Sequence, residues 1–278
     1  SDSTAMTPVE HLSRPSRRVL LATGMAAAAL PAVARPVPGQ TQTQASLIGD
    51  PTRYAAGRLR ARIDPDRRPP EPARLTRPLG LDARDAWLFV PADLDLSQPV
   101  PLVVALHGAG QAAADLLGQV DREAARAGVV VLAVSSRGTT WDLERGPVGA
   151  DAALIDLALQ TTFDQLAIDP ARIAVLGMSD GGSYALSTGM VNGDLFSDVI
   201  AFAPMRFVAP SSQGQPRFYL SSGRRDPISG YGNQRGMARQ LEGFGYVVRL
   251  HPHAGGHEVD RDGLRESLTR FVAGGVAP

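Results

Sequence analysis

Arg172-Ile173-Ala174-Val175-Leu176-Gly177-Met178-Ser179-Asp180-Gly181-Gly182-Ser183-Tyr184-Ala185-Leu186 is the stretch on which the fold turns. It opens as a β-branched, apolar run of strand character and closes on small, helix-compatible residues. Between them lies the pattern G-x-S-x-G. A serine at so sharp a strand-to-helix turn takes a strained backbone conformation, and the flanking glycines leave open the space a Cβ would fill. At a helix N-terminus the same serine meets free backbone N–H groups and the positive end of the dipole, which favour a developing oxyanion. In a chain with 29 glycines the pattern alone is weak. The strand before it and the helix after it give it meaning, and they make Ser179 the candidate nucleophile.

A nucleophilic serine needs a histidine to take its proton and a carboxylate to hold that histidine. Downstream, Phe218–Ser222 reads as a strand and runs into Arg224-Arg225-Asp226-Pro227, so Asp226 sits just past a strand's C-terminal end. Open α/β sheets place their chemistry there. A helix at Gln234–Leu241 and a strand at Tyr246–Leu250 follow, then His251-Pro252-His253-Ala254-Gly255-Gly256-His257-Glu258. Three histidines compete for the base. His251 ends the strand and His253 lies in the loop. His257 follows a Gly-Gly pair that lets the backbone turn inward, and it precedes the last helix, so it is the candidate base with Asp226 as its orienter. Glu258 and Asp260 are the substitute carboxylates. His251-Pro252-His253 could also be read as a metal pair, but no third ligand stands at zinc-like spacing and cysteine is absent. Neither a metal nor a cofactor is expected.

His107 closes the apolar strand Leu102–Leu106 and opens the turn Gly108-Ala109-Gly110. It precedes the serine, which does not suit a base in this order of elements, so a loop-bracing role is expected. The turn itself matters more. The N–H groups of Ala109 and of Asp180 are the candidate oxyanion donors. Among the loops that follow strands, Trp141 is a candidate pocket wall, with burial beneath its loop as the competing reading. Met178, next to the serine, is a second candidate contact. Arg137, Arg206, Arg224, Arg225 and Tyr231 sit on such loops too, where solvated charge is the default.

Strands are expected at Ala86–Val90, Leu102–Leu106, Val129–Val134, Ile173–Gly177 and Val199–Ala203, besides the two named above. Helices are expected at Ala112–Ala127, Ala150–Phe163, Gly181–Met190, Gln234–Leu241 and Arg261–Val272. Such alternation means a mostly parallel sheet covered by helices on both faces. With a serine elbow and the order Ser, Asp, His, that predicts an α/β-hydrolase fold.

The set Leu-His-Gly at 106–108, Gly-Met-Ser-Asp-Gly-Gly at 177–182, Ser-Gly-x-x-Asp at 222–226 and Gly-Gly-His at 255–257 resembles the poly(3-hydroxybutyrate) depolymerase-like and feruloyl-esterase-like α/β-hydrolases. It is also similar to the small phospholipase/carboxylesterase group. The resemblance covers about residues 75 to 275. It implies a catalytic triad of Ser179, Asp226 and His257 and a carboxylic-ester substrate, small or oligomeric. A peptidase or amidase of the same fold, and a non-catalytic binding protein on that fold, are the alternatives.

Charge argues for no other partner class. Lys+Arg and Asp+Glu are 28 each, so nothing favours nucleic acid or a membrane surface. Every cation is an arginine. Near the N-terminus, Ser16-Arg17-Arg18 precedes the apolar run Val19–Leu30 and the small-residue ending Pro31-Ala32-Val33-Ala34. This reads as a signal peptide of twin-arginine type spanning 1–34, cleaved after Ala34, and so as a periplasmic or secreted protein. Prolines at 36, 38, 51, 65, 69, 70 and 72 make 35–74 linker-like. The catalytic domain is expected over 75–278, with a chain starting at Arg74 sufficient for folding and activity.

Overall fold

The computed structural model describes residues 50–66, 76–81, 86–145 and 149–274. The expected signal segment at 1–34 and the rest of the expected linker, 35–49 and 67–74, lie outside them.

Among the described residues eight strands form one sheet: β1 (Arg77–Pro78), β2 (Ala86–Phe89), β3 (Val100–Leu106), β4 (Val130–Val134), β5 (Ile168–Met178), β6 (Asp198–Phe202), β7 (Arg217–Gly223) and β8 (Val248–His253). Their spatial order is β1-β2-β4-β3-β5-β6-β7-β8. β1 and β2 pair antiparallel at one edge, β2 pairs antiparallel with β4, and all pairings from β4 to β8 are parallel. The helices are α1 (Ala113–Ala127), α2 (Asp142–Arg145), α3 (Ala150–Gln165), α4 (Asp180–Val191), α5 (Tyr231–Gly243) and α6 (Arg261–Val272). Strand alternation divides the apolar residues between two cores. Val103, Ala105 and Leu176 pack against Leu116 and Val120 of α1 and Leu264 and Phe271 of α6. Leu102, Val104 and Val175 pack on the other face with Leu154 of α3, Leu186 of α4 and Leu241 of α5. Parallel strands buried on both faces read as continuous apolar runs, which is why β3 and β4 were legible.

The chain adds β4 on one side of β3 and then β5 on the other. The strand order therefore reverses between β3 and β5, and the crevice beyond their C-terminal ends is where such sheets bind ligands. Leu106 pairs with Gly177 at that point, so the turns after β3 and β5 lie side by side.

Three elements were not expected: the short β1, the turn of helix α2, and a 3-10 turn at Pro51–Tyr54. β8 also lies later than expected, running through His253 in register with Gly223. Pro252 is tolerated because β8 is the sheet's edge.

The larger correction concerns the expected linker. Residues 54–63 are built into the body of the fold. Leu59 is 1% exposed and belongs, with Ala61, to the core over α3 and α4. The backbone is received by buried side chains: Asn192 Oδ1 accepts from Leu59 N at 2.8 Å, and Asp156 Oδ1 from Ala61 N at 2.7 Å. Tyr54 donates its hydroxyl to Asp156 Oδ2 at 2.8 Å, and Arg58 and Arg62 clasp Asp194. Prolines prevent a helix or central strand here, but they do not prevent an extended segment from filling a groove.

A chain starting at Arg74 is therefore expected to melt well below the full chain. The loss should reach at least the about 2–5 kcal/mol typical of one buried leucine truncated to alanine. Denaturant titration of the two chains, with Leu59→Ala as an intermediate case, checks this; equal midpoints would restore the linker reading. The clasp also carries a pH signature. The hydrogen bond from Arg58 is the chief cause holding the Asp194 carboxyl well below the usual carboxylate range. Its folded value is below its unfolded one, so its stabilisation is present above about pH 4 and is lost as the pH falls toward the folded value.

Candidate active site

Ser179 follows β5 and caps α4 in a conformation with φ 56° and ψ −119°. A non-glycine residue there carries strain of about 1–3 kcal/mol. The neighbouring glycines show what the turn requires. A Cβ on Gly177 would lie 2.0 Å from the Gly181 carbonyl oxygen, and one on Gly181 would lie 2.0 Å from the Leu106 carbonyl oxygen. The turn is pinned by the Ser179 amide, which donates to the Phe202 carbonyl at 2.9 Å, and by the Ser183 amide, which donates to the Ser179 carbonyl at 2.9 Å.

The three candidates from three separate segments meet. His257 Nε2 lies 2.8 Å from Ser179 Oγ, and His257 Nδ1 lies 2.9 Å from Asp226 Oδ2. Asp226 is buried. Its other oxygen, Oδ1, accepts from the amides of Ile228 at 2.8 Å and Ser229 at 3.0 Å. Burial alone would push the Asp226 carboxyl up, but the hydrogen bonds from His257, Ser229 and Ile228 outweigh it and hold the group below its ordinary value. The carboxylate is thus kept charged against the imidazole.

The loop bearing His257 is held at the end of β7. The amide of Arg224 donates to the His253 carbonyl at 2.9 Å, and that of Arg225 to the Gly255 carbonyl at 3.0 Å. Gly255 and Gly256 were expected to supply backbone freedom, yet neither has positive φ. Gly255 supplies space instead: a Cβ there would sit 1.8 Å from Glu258 Oε1.

A cavity of about 690 Å³ opens over Ser179. Ala109 and Asp180 line it, and the apolar wall comes from Met178, Met205, Ile228 and Val259. Thr139 and Thr140 tie the two turns together: the Thr139 carbonyl accepts from the amide of Gly110, next to Ala109, at 2.7 Å, and Thr140 Oγ1 donates to Asp180 Oδ2 at 2.5 Å. Glu258 also lines the cavity, and among the described residues no arginine does. Arg206 donates to the Leu143 carbonyl, Arg225 to the Ala254 carbonyl, and Arg224 lies over the Tyr231 ring.

Trp141 is not a pocket wall. It is fully buried, with its Nε1–H donated to the His107 carbonyl at 2.8 Å and its ring against those of His107 and Tyr184. A large aromatic side chain with one N–H donor is best satisfied under the loop, where both its surface and its donor find partners. His107 braces, as expected: Nε2 accepts from Ser136 N at 2.9 Å while Nδ1 faces the Gly108 carbonyl at 2.7 Å. The other histidines lie elsewhere. His251 Nδ1 sits 2.8 Å from Glu266, and His253 Nδ1 accepts from Gly255 N at 3.1 Å. Of the substitute carboxylates, Asp260 caps α6 through Gly263 N, and Glu258 accepts from Gly256 N.

Sequence reasoning placed Met205, Ile228 and Ser229 on loops that follow strands and could line the site, without singling any of them out. Ser229 did have a signal, since an Asp followed by amides two and three residues on is an ordinary turn. Its contact with the imidazole had none.

No family model matches the chain, and no curated protein matches it in sequence. Solved structures do. Esterase PE8 is 24% identical with a TM-score of 0.54, over 67% of this chain and 96% of its own. The Bacillus cereus carboxylesterase is 18% identical with a TM-score of 0.53, over 68% and 93%. A ferulic acid esterase from Anaeromyces mucronatus is 16% identical with a TM-score of 0.52, over 68% and 84%. At such identities the likeness is one of fold. The chain has the α/β-hydrolase fold.

Proposed function

We infer that the protein is a serine hydrolase of carboxylic esters, in which Ser179 attacks, His257 moves the proton and Asp226 orients the imidazole. The observation that carries this reading is the hydrogen-bonded series Ser179–His257–Asp226 opening on a cavity lined by two candidate oxyanion amides. Ser179 Oγ adds to the ester carbonyl carbon as Nε2 takes its proton. The amides of Ala109 and Asp180 receive the oxyanion. Nε2 then gives that proton to the departing alcohol, leaving the acyl group on Ser179. Water, deprotonated by Nε2, adds to the acyl carbon, and the serine leaves as it regains a proton. The esterases that share the fold support this choice of bond.

The lining narrows the substrate. Two methionines, an isoleucine and a valine line the cavity, Ile228 is 62% exposed, and the carboxylates among the described lining residues are Asp180 and Glu258. We read this as a site for uncharged esters with aliphatic acyl groups, small or oligomeric, in the manner of the poly(3-hydroxybutyrate) depolymerase-like group. Export by the twin-arginine segment to the periplasm or beyond belongs to the same proposal.

The test is a series of p-nitrophenyl esters of rising acyl length, with one hydroxybutyrate ester, one hydroxycinnamate ester, one succinate half-ester and one peptide p-nitroanilide. Neutral aliphatic and hydroxybutyrate esters should turn over, and the anionic half-ester at least about tenfold more slowly, the scale of a like charge at close range. Anilide cleavage at a comparable rate would make the protein an amidase. Absence of any turnover would leave a binding protein on this fold.

A further inference from the structure

We propose that Ser229 is a positioning residue for His257, a second hydrogen-bond acceptor that fixes the imidazole tautomer beside Asp226. The inference rests on the reading of Ser179, His257 and Asp226 as the reacting set.

Ser229 lies on the loop between β7 and α5 and is 5% exposed. Its amide donates to Asp226 Oδ1 at 3.0 Å, its Oγ lies 2.8 Å from the Ala203 carbonyl oxygen, and the same Oγ lies 3.2 Å from His257 Nδ1. A hydroxyl has one proton and two lone pairs. The carbonyl can only accept, so the hydroxyl proton goes to Ala203, and what Ser229 turns toward the ring is a lone pair. Nδ1 must then carry hydrogen, shared between Asp226 Oδ2 at 2.9 Å and Ser229 Oγ. The opposite tautomer would set the Nδ1 lone pair against two acceptors at once. With Nδ1 protonated, Nε2 offers its lone pair to Ser179 Oγ, the arrangement a general base requires.

The Ala203 carbonyl that commits the hydroxyl is itself held in place. Ala203 directly follows β6 with φ 47°, and its amide donates to the Ser221 carbonyl at 3.0 Å. Ser229 therefore joins the end of β6 to both the carboxylate and the imidazole. The other charged group near the ring, Glu258, spends Oε1 on the Gly256 amide.

The experiment compares Ser229→Ala, Ser229→Thr, Asp226→Asn and the double variant Asp226→Asn/Ser229→Ala in the full chain. Ser229→Ala should lower kcat about tenfold with KM little changed, the scale of one lost hydrogen bond to a group that becomes charged. Ser229→Thr keeps the hydroxyl and should recover most of that loss. In Asp226→Asn the imidazole already holds the wrong tautomer, so adding Ser229→Ala should cost little more. A purely structural role would cost the same factor in both backgrounds, and that result would overturn the proposal. The second measurement needs no turnover: the downfield proton resonance of His257 Nδ1–H, assigned by its loss in His257→Ala. It should move in Ser229→Ala and stay in Ser229→Thr. An unmoved resonance in Ser229→Ala would also overturn the proposal. If the wild-type protein turns over no ester, the functional reading fails, while this resonance still decides whether Ser229 accepts from the ring.

Discussion

Ser179→Ala lowers ester turnover by roughly 10⁴ to 10⁶, because nucleophile and base act as a unit and neither is of use without the other. The fold should not suffer. Among the described residues, Ser179 Oγ is joined only to His257, and the turn is held by backbone bonds that alanine also makes. Alanine at φ 56° keeps the strain of the native turn, so the melting temperature should stay close to that of the wild type. A fluorophosphonate probe should label the wild-type protein at Ser179 and leave the variant unlabelled. Continued labelling of the variant at another serine, or a rate within tenfold of wild type, would move the nucleophile.

Asp226→Asn should cost on the order of 10⁴ in rate and leave the fold intact, since the imidazole is then left in the wrong tautomer. The geometry says how. Oδ1 accepts two backbone amides, so an asparagine keeps its carbonyl there and turns its NH₂ group toward His257 Nδ1. His257→Ala should nearly abolish turnover, whereas His251→Ala and His253→Ala should change it by less than about tenfold, as groups off the proton path. Those two histidines face Glu266 and the Gly255 amide, away from Ser179. Asp226 also bears on the pH profile. Its folded value is depressed, so it stays charged through the ordinary carboxylate range and protonates only below it. Protonation of Asp226 should therefore produce no fall in kcat/KM above about pH 4, the ordinary carboxylate range, which a pH-rate profile of the wild-type protein checks. Near-wild-type rates in Asp226→Asn, with a large loss in Glu258→Gln or Asp260→Asn, would reassign the orienter; a dead His253→Ala with an active His257→Ala would reassign the base.

The parts of this protein that were legible in its sequence are those whose physical requirement is met by neighbours in the chain. The elbow needs glycine at 177 and 181 because two carbonyl oxygens stand where Cβ atoms would go, so the serine between them was marked by its flanks. β3 and β4 were marked by runs of apolar residues. Strand C-termini then located Asp226, and His257 followed from the loop beyond β8. What only the tertiary structure decided depends on partners far away in the chain. Trp141 is placed by the His107 carbonyl and the Tyr184 ring, which no local pattern reveals. Residues 54–63 look like a linker because their order comes from Asp156, Asn192 and Asp194 rather than from their own periodicity. Ser229 reaches the imidazole only because the loops after β6, β7 and β8 converge at one corner of the sheet. A backbone turn is specified by sterics within a few residues, whereas the acceptor a buried donor finds is specified by how the sheet brings separate loops together.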